Sequence, residues 1–155
     1  MSFVKAKEHL EKYGLENKIM EFEVSSATVK EAAEAINCKE DEIAKTLSFI
    51  VDDKPILIVV AGASKVDNGK YKKEFQTKAK MISFEDVEKN IGHSVGGVCP
   101  FGINEDVEVY LDNSLKKFEI IYPACGSSNS AVKLTIEELE KASEFKKWVD
   151  VCKDM

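Results

Sequence analysis

Lys45 is the side chain in this sequence whose position most needs a chemical explanation. If the run Lys45 to Val51 is a strand, alternation puts Lys45 on the same face as Leu47, Phe49 and Val51, the face that should meet the core. Burying an unpaired ammonium is costly. Its head must therefore reach solvent at the strand's start, pair with a carboxylate, or line a pocket for an anionic or carbonyl group. The pattern alone leaves all three open. A second feature is Gly96-Gly97-Val98-Cys99-Pro100-Phe101-Gly102, preceded by Gly92-His93-Ser94-Val95. Glycines let a backbone approach a ligand closely, and Pro100 stiffens the turn. A loop of this kind can aim several N–H groups at the oxyanion that develops when water attacks an ester, or can simply join a helix to a strand. A third is Tyr122-Pro123-Ala124-Cys125-Gly126-Ser127-Ser128-Asn129-Ser130, whose small side chains suit a pocket wall or an ordinary surface turn.

Other chemistries find less support. A thiol nucleophile at Cys99 with His93 as its base would need the two in spatial contact, which closeness in sequence does not establish. Cys38, Cys125 and Cys152 read as small apolar packers, and His9 as an exposed residue of a charged N-terminal helix. With four scattered cysteines, no C-x-x-C pair and histidines only at positions 9 and 93, neither a zinc site nor a disulfide framework is expected. No cofactor or metal is implied.

Local patterns supply the elements that must position these residues. Phe3 to Leu10 has helical spacing and stops near Gly14, and Ile19 to Val24 alternates like a strand. Ser26 or Thr28 can cap a helix over Val29 to Ile36, and Cys38 to Ile43 resembles a further helical turn. Lys45 to Val51 and Pro55 to Ala61 are β-branched, apolar runs joined by Asp52-Asp53-Lys54, which predicts an antiparallel hairpin closed by Gly62. Asn68 to Phe75 reads as a helix. Ser83-Phe84-Glu85-Asp86 resembles a capping box opening another that ends at Gly92. Val107 to Leu111, Glu119 to Tyr122 and Ala131 to Leu134 read as strands, and Thr135-Ile136-Glu137-Glu138 as the capping box of a C-terminal helix. Several neighbouring strands are joined by turns too short for parallel crossovers. The pattern therefore predicts an α/β fold with a curved, mixed and largely antiparallel sheet flanked by helices.

With 155 residues and no linker or repeat, residues 1–155 are expected to form a single compact domain with one substantial core. A hydrophobic content of 44% and a charged content of 32% are those of an ordinary globular chain. The longest apolar run, Ile56 to Ala61, is too short to span a bilayer, so a cytoplasmic protein without a membrane partner is expected. A net charge of −6 argues against a protein that coats nucleic acid non-specifically. The charge is uneven, however. Lys65 to Lys80 holds six lysines against Asp67 and Glu74, either a local site for phosphates or a solvated helix face.

Three blocks, taken in order, resemble the YbaK/EbsC family, free-standing relatives of the editing domain inserted in bacterial prolyl-tRNA synthetases. They are Ala44-Lys45-Thr46-Leu47, the G-x-x-x-P loop Gly96 to Pro100 with Phe101-Gly102 after it, and Ile121-Tyr122 followed by the turn around Gly126. The resemblance spans nearly the whole chain. It implies a YbaK-like domain whose pocket takes the aminoacylated 3′ end of tRNA and hydrolyses the ester, with Lys45 holding the terminal adenosine and ester group. It likewise implies that Thr46, the loop residues Gly96, Gly97, Val98, Cys99 and Pro100, and Phe22, Ala124 and Gly126 contact the substrate. Chemistry in the family is largely substrate-assisted, so no protein general base is required. The branch acting on Cys-tRNA(Pro) carries a Tyr near Phe22 and a Ser near Ala124, and the alanine-removing branch a histidine with no counterpart here. Phe22, Ala124 or Val98 can thus move the preference among Cys, Ala, Ser and similar residues.

On this basis the chain is expected to be a trans-acting aminoacyl-tRNA deacylase, monomeric, with aminoacyl-tRNA as substrate and prolyl-tRNA synthetase as a further partner. Gripping mainly the CCA end needs only a local basic surface, for which Lys70, Lys72 and Lys73 are the candidates. The alternatives are a module that binds tRNA ends, nucleotides or a synthetase without turnover, and a thiol hydrolase acting through Cys99.

Overall fold

The computed structural model describes residues 2–154. In chain order the elements are helix α1 (Ser2–Glu11), strand β1 (Ile19–Glu21), helix α2 (Val29–Ile36), and strands β2 (Ile43–Val51) and β3 (Lys54–Ala61). Helices α3 (Asn68–Phe75) and α4 (Val87–Ile91) follow, then β4 (Glu108–Asp112), β5 (Ile120–Pro123), β6 (Ser130–Val132), β7 (Leu134–Thr135), α5 (Ile136–Ser143) and β8 (Lys147–Val149).

Six strands form one mixed sheet in the order β7-β5-β2-β3-β4-β8, and β1 pairs with β6 in a separate two-stranded ribbon. The β2–β3 hairpin is the longest ladder, running from Ala44 opposite Ala61 to Val51 opposite Lys54. Asp52 and Asp53 both turn with positive φ, as tight hairpins favour. Antiparallel pairing holds β2 to β3, β5 to β7 and β1 to β6; β2–β5, β3–β4 and β4–β8 are parallel. Long connections carrying α3 and α4 make the β3–β4 crossover, which turn-by-turn reading along the chain could not show.

Pro55 to Ala61 is buried throughout because β3 is central and covered on both faces. One face, with Leu57, Val59, Val109 and Leu111, packs on α1, α4 and α5 through Leu10, Ile91 and Leu139, joined by Phe101 from the loop after α4. The other, with Phe49, Ile56, Ile58 and Val60, packs on α3. There the Tyr71 ring lies 5.0 Å from that of Phe49 and 4.8 Å from that of Phe75, tilted contacts that add to simple burial.

Helix ends largely follow the sequence. Thr28 caps α2 in a full box with Glu31, Thr135 caps α5 with Glu138, and Asp67 caps α3 by accepting from the Lys70 N–H at 3.0 Å. Four expectations are revised. Ser83 does not cap a helix: its hydroxyl donates to Asp86 Oδ2 at 2.7 Å, and a 3-10 turn (Phe84–Asp86) leads into the short α4. Ala131 to Leu134 is two strands broken at Lys133, β6 facing β1 and β7 facing β5. Beyond Glu21 the chain leaves β1, and β8, invisible in the pattern, pairs with the edge of β4. His9 is buried rather than exposed, because α1 packs on α5 and the imidazole meets Ala142 O at 2.6 Å and Glu144 at 3.7 Å. Among the described residues no helix is long and apolar enough to cross a membrane.

Candidate active site

A break in the sheet makes the site. β5 pairs with β2 only at Ile43 and Ala44, opposite Tyr122 and Pro123. Farther along the same edge the strap Lys80–Ile82 takes over, with Met81 bridged to Phe49, the Ile50 N–H donating to Lys80 O at 2.9 Å and Ile82 N–H to Ser48 O at 3.1 Å. Between them Lys45, Thr46 and Leu47 have no strand neighbour on that side among the described residues, and a cavity of about 340 Å³ opens there. Ser48 and Ile50 point their main-chain groups toward the strap, so Thr46, which shares their parity, points its N–H and C=O into the gap. The Thr46 hydroxyl oxygen is also buried without a hydrogen-bond partner among the described residues.

Lys45 lines the same cavity. It is half-buried, and its ammonium donates to Ser64 O at 2.8 Å. Burial pushes its pKa down, with Lys65 adding to the effect and Cys152 opposing it. Of the three fates open to this residue, a carboxylate partner is not the one taken.

Two tight turns form the opposite wall. Gly96, at φ +93°, sits where an added Cβ would lie 3.2 Å from Ala27 Cβ and 3.4 Å from Ser128 Cβ, so the loop, the entry to α2 and the Ser127–Ser130 turn converge on it. Gly97 is pressed against the backbone of Gly126 and Ser127, and the Gly126 N–H donates to Gly97 O at 3.0 Å. No other residue fits at position 97. Gly96 and Val98 face the cavity, joined by Ala44, Ala124, Ala131 and Tyr122. Small apolar groups therefore dominate this end. The Gly97 N–H already donates to Ser94 O at 3.0 Å, so the loop offers fewer free donors than its composition implies.

The remaining predicted contacts lie elsewhere. Gly97, Cys99, Pro100, Gly126 and Phe22 are not among the lining residues. Gly97 and Gly126 shape the wall from behind. Phe22 clamps the turn through its main chain, its N–H donating to Asn129 O at 2.8 Å and its C=O accepting from Asn129 Nδ2 at 3.0 Å. Pro100 faces a different and larger hollow of about 580 Å³ edged by Lys5, Glu8 and Lys12.

Cys99 does meet His93, with Sγ 3.4 Å from Nε2, but both are fully buried. Burial drives the thiol pKa far up and the imidazole pKa down, so this pair is a neutral core contact and not an ion pair. The imidazole is anchored on Phe101 O at 2.5 Å. This position, fully buried and outside the cavity lining, argues against a thiol hydrolase acting through Cys99.

Of the candidate phosphate contacts, Lys70 is committed to Asp150 and Asp154, at 3.2 and 2.8 Å. Lys72 and Lys73 stand exposed on the same helix. Sequence reasoning missed Ser48, Met81, Ile82, Phe84, Val87 and Val95, all of which line the cavity. For Met81, Ile82, Phe84 and Val87 the signal is the set of apolar residues in the segment 81–87, which in the sequence reads as no more than the start of a helix; Ser48 and Val95 lie within stretches already quoted, without a mark of their own. The lining contains no Asp, Glu, His or Cys, and among the described residues no group of three or more such side chains is placed to hold a metal.

Residues 23–142 match the family model for the aminoacyl-tRNA editing domain, and the chain belongs to that family. It is 51% identical over 155 residues to an uncharacterised Bacillus subtilis protein, YwhH, with 99% of each chain covered. Proline–tRNA ligases are similar over a shorter stretch. That of Bacillus cytotoxicus is 26% identical over 79% of this chain and that of Shouchella clausii 35% over 66%, and the chain spans only 22% and 18% of those ligases. A crystal structure of a proposed trans-editing enzyme for prolyl tRNA synthetase superposes with a TM-score of 0.88 at 27% identity, covering 99% of this chain and 98% of the other. The fold is thus the YbaK-like editing fold, in which the cavity lies at the broken edge of β2.

Proposed function

We propose that this protein is a trans-acting deacylase that hydrolyses the ester of a mischarged aminoacyl-tRNA, of the tRNA(Pro) type and bearing a small amino acid such as Cys or Ala. The observation that carries this reading is the cavity's inventory: one half-buried lysine, one hydroxyl without a partner among the described residues and an open strand edge, with no Asp, Glu, His or Cys in the lining. A site so equipped can bind, orient and polarise an ester. The proton of the attacking water must then pass to the substrate itself, to the neighbouring ribose hydroxyl or, for cysteine, the thiol, and from there to the leaving ribose oxygen. Lys45 moves from Ser64 O to the ester end of the substrate, while a loop N–H at Gly96 or Val98 meets the carbonyl oxygen as charge develops on it. Similarity to the editing segment of proline–tRNA ligases supports the tRNA(Pro) assignment. The small wall of Ala44, Ala124 and Gly96 supports a small amino acid. Such a reaction belongs in the cytoplasm, alongside the synthetase that makes the error.

The test is deacylation of tRNA(Pro) charged with Cys, Ala, Ser or Pro. Hydrolysis of a mischarged species with Pro-tRNA(Pro) left intact is the expected result. A second reading draws on the same inventory, since a cavity without acid or base also suits a module that binds tRNA ends or a synthetase without turnover. Binding with no deacylation across that panel would select it.

A further inference from the structure

Half of the large apolar side chains exposed among the described residues stand at one mouth. Met81 is 57% exposed, Phe84 76% and Val95 43%, and all three line the cavity. Apolar groups clustered in the open at a cavity's rim mark a surface that something covers.

Their arrangement is fixed before anything binds. Ile82 is buried and hydrogen-bonded to Ser48 O, Lys80 O is held by the Ile50 N–H, and Ser83 is tied to Asp86. The strap is thus pinned as an added strand, with Met81 and Phe84 both exposed at the rim of the same cavity. Phe84 opens a 3-10 turn, so its backbone is ordered as well. Lys78 and Lys80 are exposed on the approach to the strap, and the cavity lining carries no carboxylate. An exposed ring and an exposed thioether on one rim, Lys80 next to Met81 in the chain and no carboxylate in the lining describe a site for a flat ring that carries phosphate, with the carboxylates of Glu85 and Asp86 outside it.

We infer that Phe84, with Met81 beside it, is the platform on which the terminal nucleobase of the substrate stacks, while the aminoacyl ester enters the cavity behind. This rests on the deacylase reading and adds to it a positioning residue. Stacking tolerates every base but favours the larger purine face, and its loss weakens binding without touching the chemistry.

The experiment uses alanyl esters of adenosine 5′-monophosphate and uridine 5′-monophosphate, assayed with wild type, Phe84→Ala, Met81→Ala and Phe84→Trp. Wild type should prefer the adenosine ester. Phe84→Ala should raise KM for that ester roughly tenfold or more, leave kcat little changed and erase the purine preference. Met81→Ala should do the same to a smaller degree. Phe84→Trp should restore the preference, and its indole emission should be quenched by adenosine 5′-monophosphate beyond any change seen in wild type, which carries Trp148. Because Phe84 is so exposed, Phe84→Ala should keep the wild-type Tm. An unchanged KM and purine preference in Phe84→Ala would overturn the platform while leaving the deacylase reading intact. A defect appearing only when prolyl-tRNA synthetase is added would also overturn it, assigning Phe84 to a protein interface. Wild type inactive on both esters, with Phe84→Trp still quenched by the nucleotide, would overturn the deacylase reading and keep the platform.

Discussion

Lys45 illustrates how far one residue can be understood from its place in a strand. Alternation put it on a core-facing side, and the structure gives the reason it survives there: its ammonium donates to the Ser64 carbonyl oxygen. The lowered pKa follows from that burial. The folded state binds the proton less tightly than the unfolded chain does, so the charged lysine costs stability at low pH, and the cost fades as pH rises through the folded pKa. For function the sign is the reverse, because the charged form is the one that holds the ester. The lysine-dependent part of the rate should therefore fall with an alkaline limb below the ordinary lysine pKa of ~10.4. Rate against pH for wild type, with spontaneous ester loss subtracted, checks this, and Lys45→Arg should move the limb upward. Cys99 makes the opposite case. Cys99→Ala should lower stability by ~1 kcal/mol through poorer packing and leave kcat/KM within a fewfold of wild type. Urea unfolding and the deacylation assay, run on the same preparation, measure the two.

Among the elements, those whose specification is local were legible. Helices α2 and α5 carry complete capping boxes, α3 begins at Asp67, and the β2–β3 hairpin is written in two apolar runs and an Asp-Asp turn. Strand β8 was not legible, because three residues pairing in parallel with β4 leave no pattern of their own. Nor was the strap, whose meaning depends on the distant edge of β2. The same limit applied to the site. Lys45, Thr46, Gly96, Val98 and Ala124, all singled out in the sequence, line the cavity, whereas the outer rim at Met81 and Phe84 required the fold. Because α2 contributes Val29 and Ala32 to the cavity, its cap has a functional consequence. Thr28→Ala should cost ~1 kcal/mol and raise KM, read by thermal unfolding and steady-state kinetics. Gly97→Ala should be harsher. Its Cβ would meet main-chain atoms of Gly126 and Ser127, which cannot swing aside, so a loss of about 1–3 kcal/mol with a collapse of activity is expected.

At the scale of the molecule, an acidic protein must hold a polyanion with few cations. Net charge is −6 and Lys70 is neutralised by two aspartates, so within the basic segment the exposed cations are Lys72 and Lys73 on α3 and Lys78 and Lys80 toward the strap, with Lys65 ahead of them. Binding that neutralises so few phosphates should depend only mildly on salt. Replacing Lys72 and Lys73 together with Ala should reduce the slope of log K against log salt by about 1 for each phosphate that these lysines neutralise. A titration of tRNA at several salt concentrations measures it. The central claim is that this cavity hydrolyses a mischarged ester without a protein acid or base. The most direct measurement is deacylation of Ala-tRNA(Pro) and Cys-tRNA(Pro) by wild type and Lys45→Ala at one fixed low salt concentration. Hydrolysis of at least one of them, reduced about 10²-fold or more in the variant while Pro-tRNA(Pro) is spared, is the predicted result. Hydrolysis indifferent to Lys45 would contradict the account and place the chemistry elsewhere on the molecule.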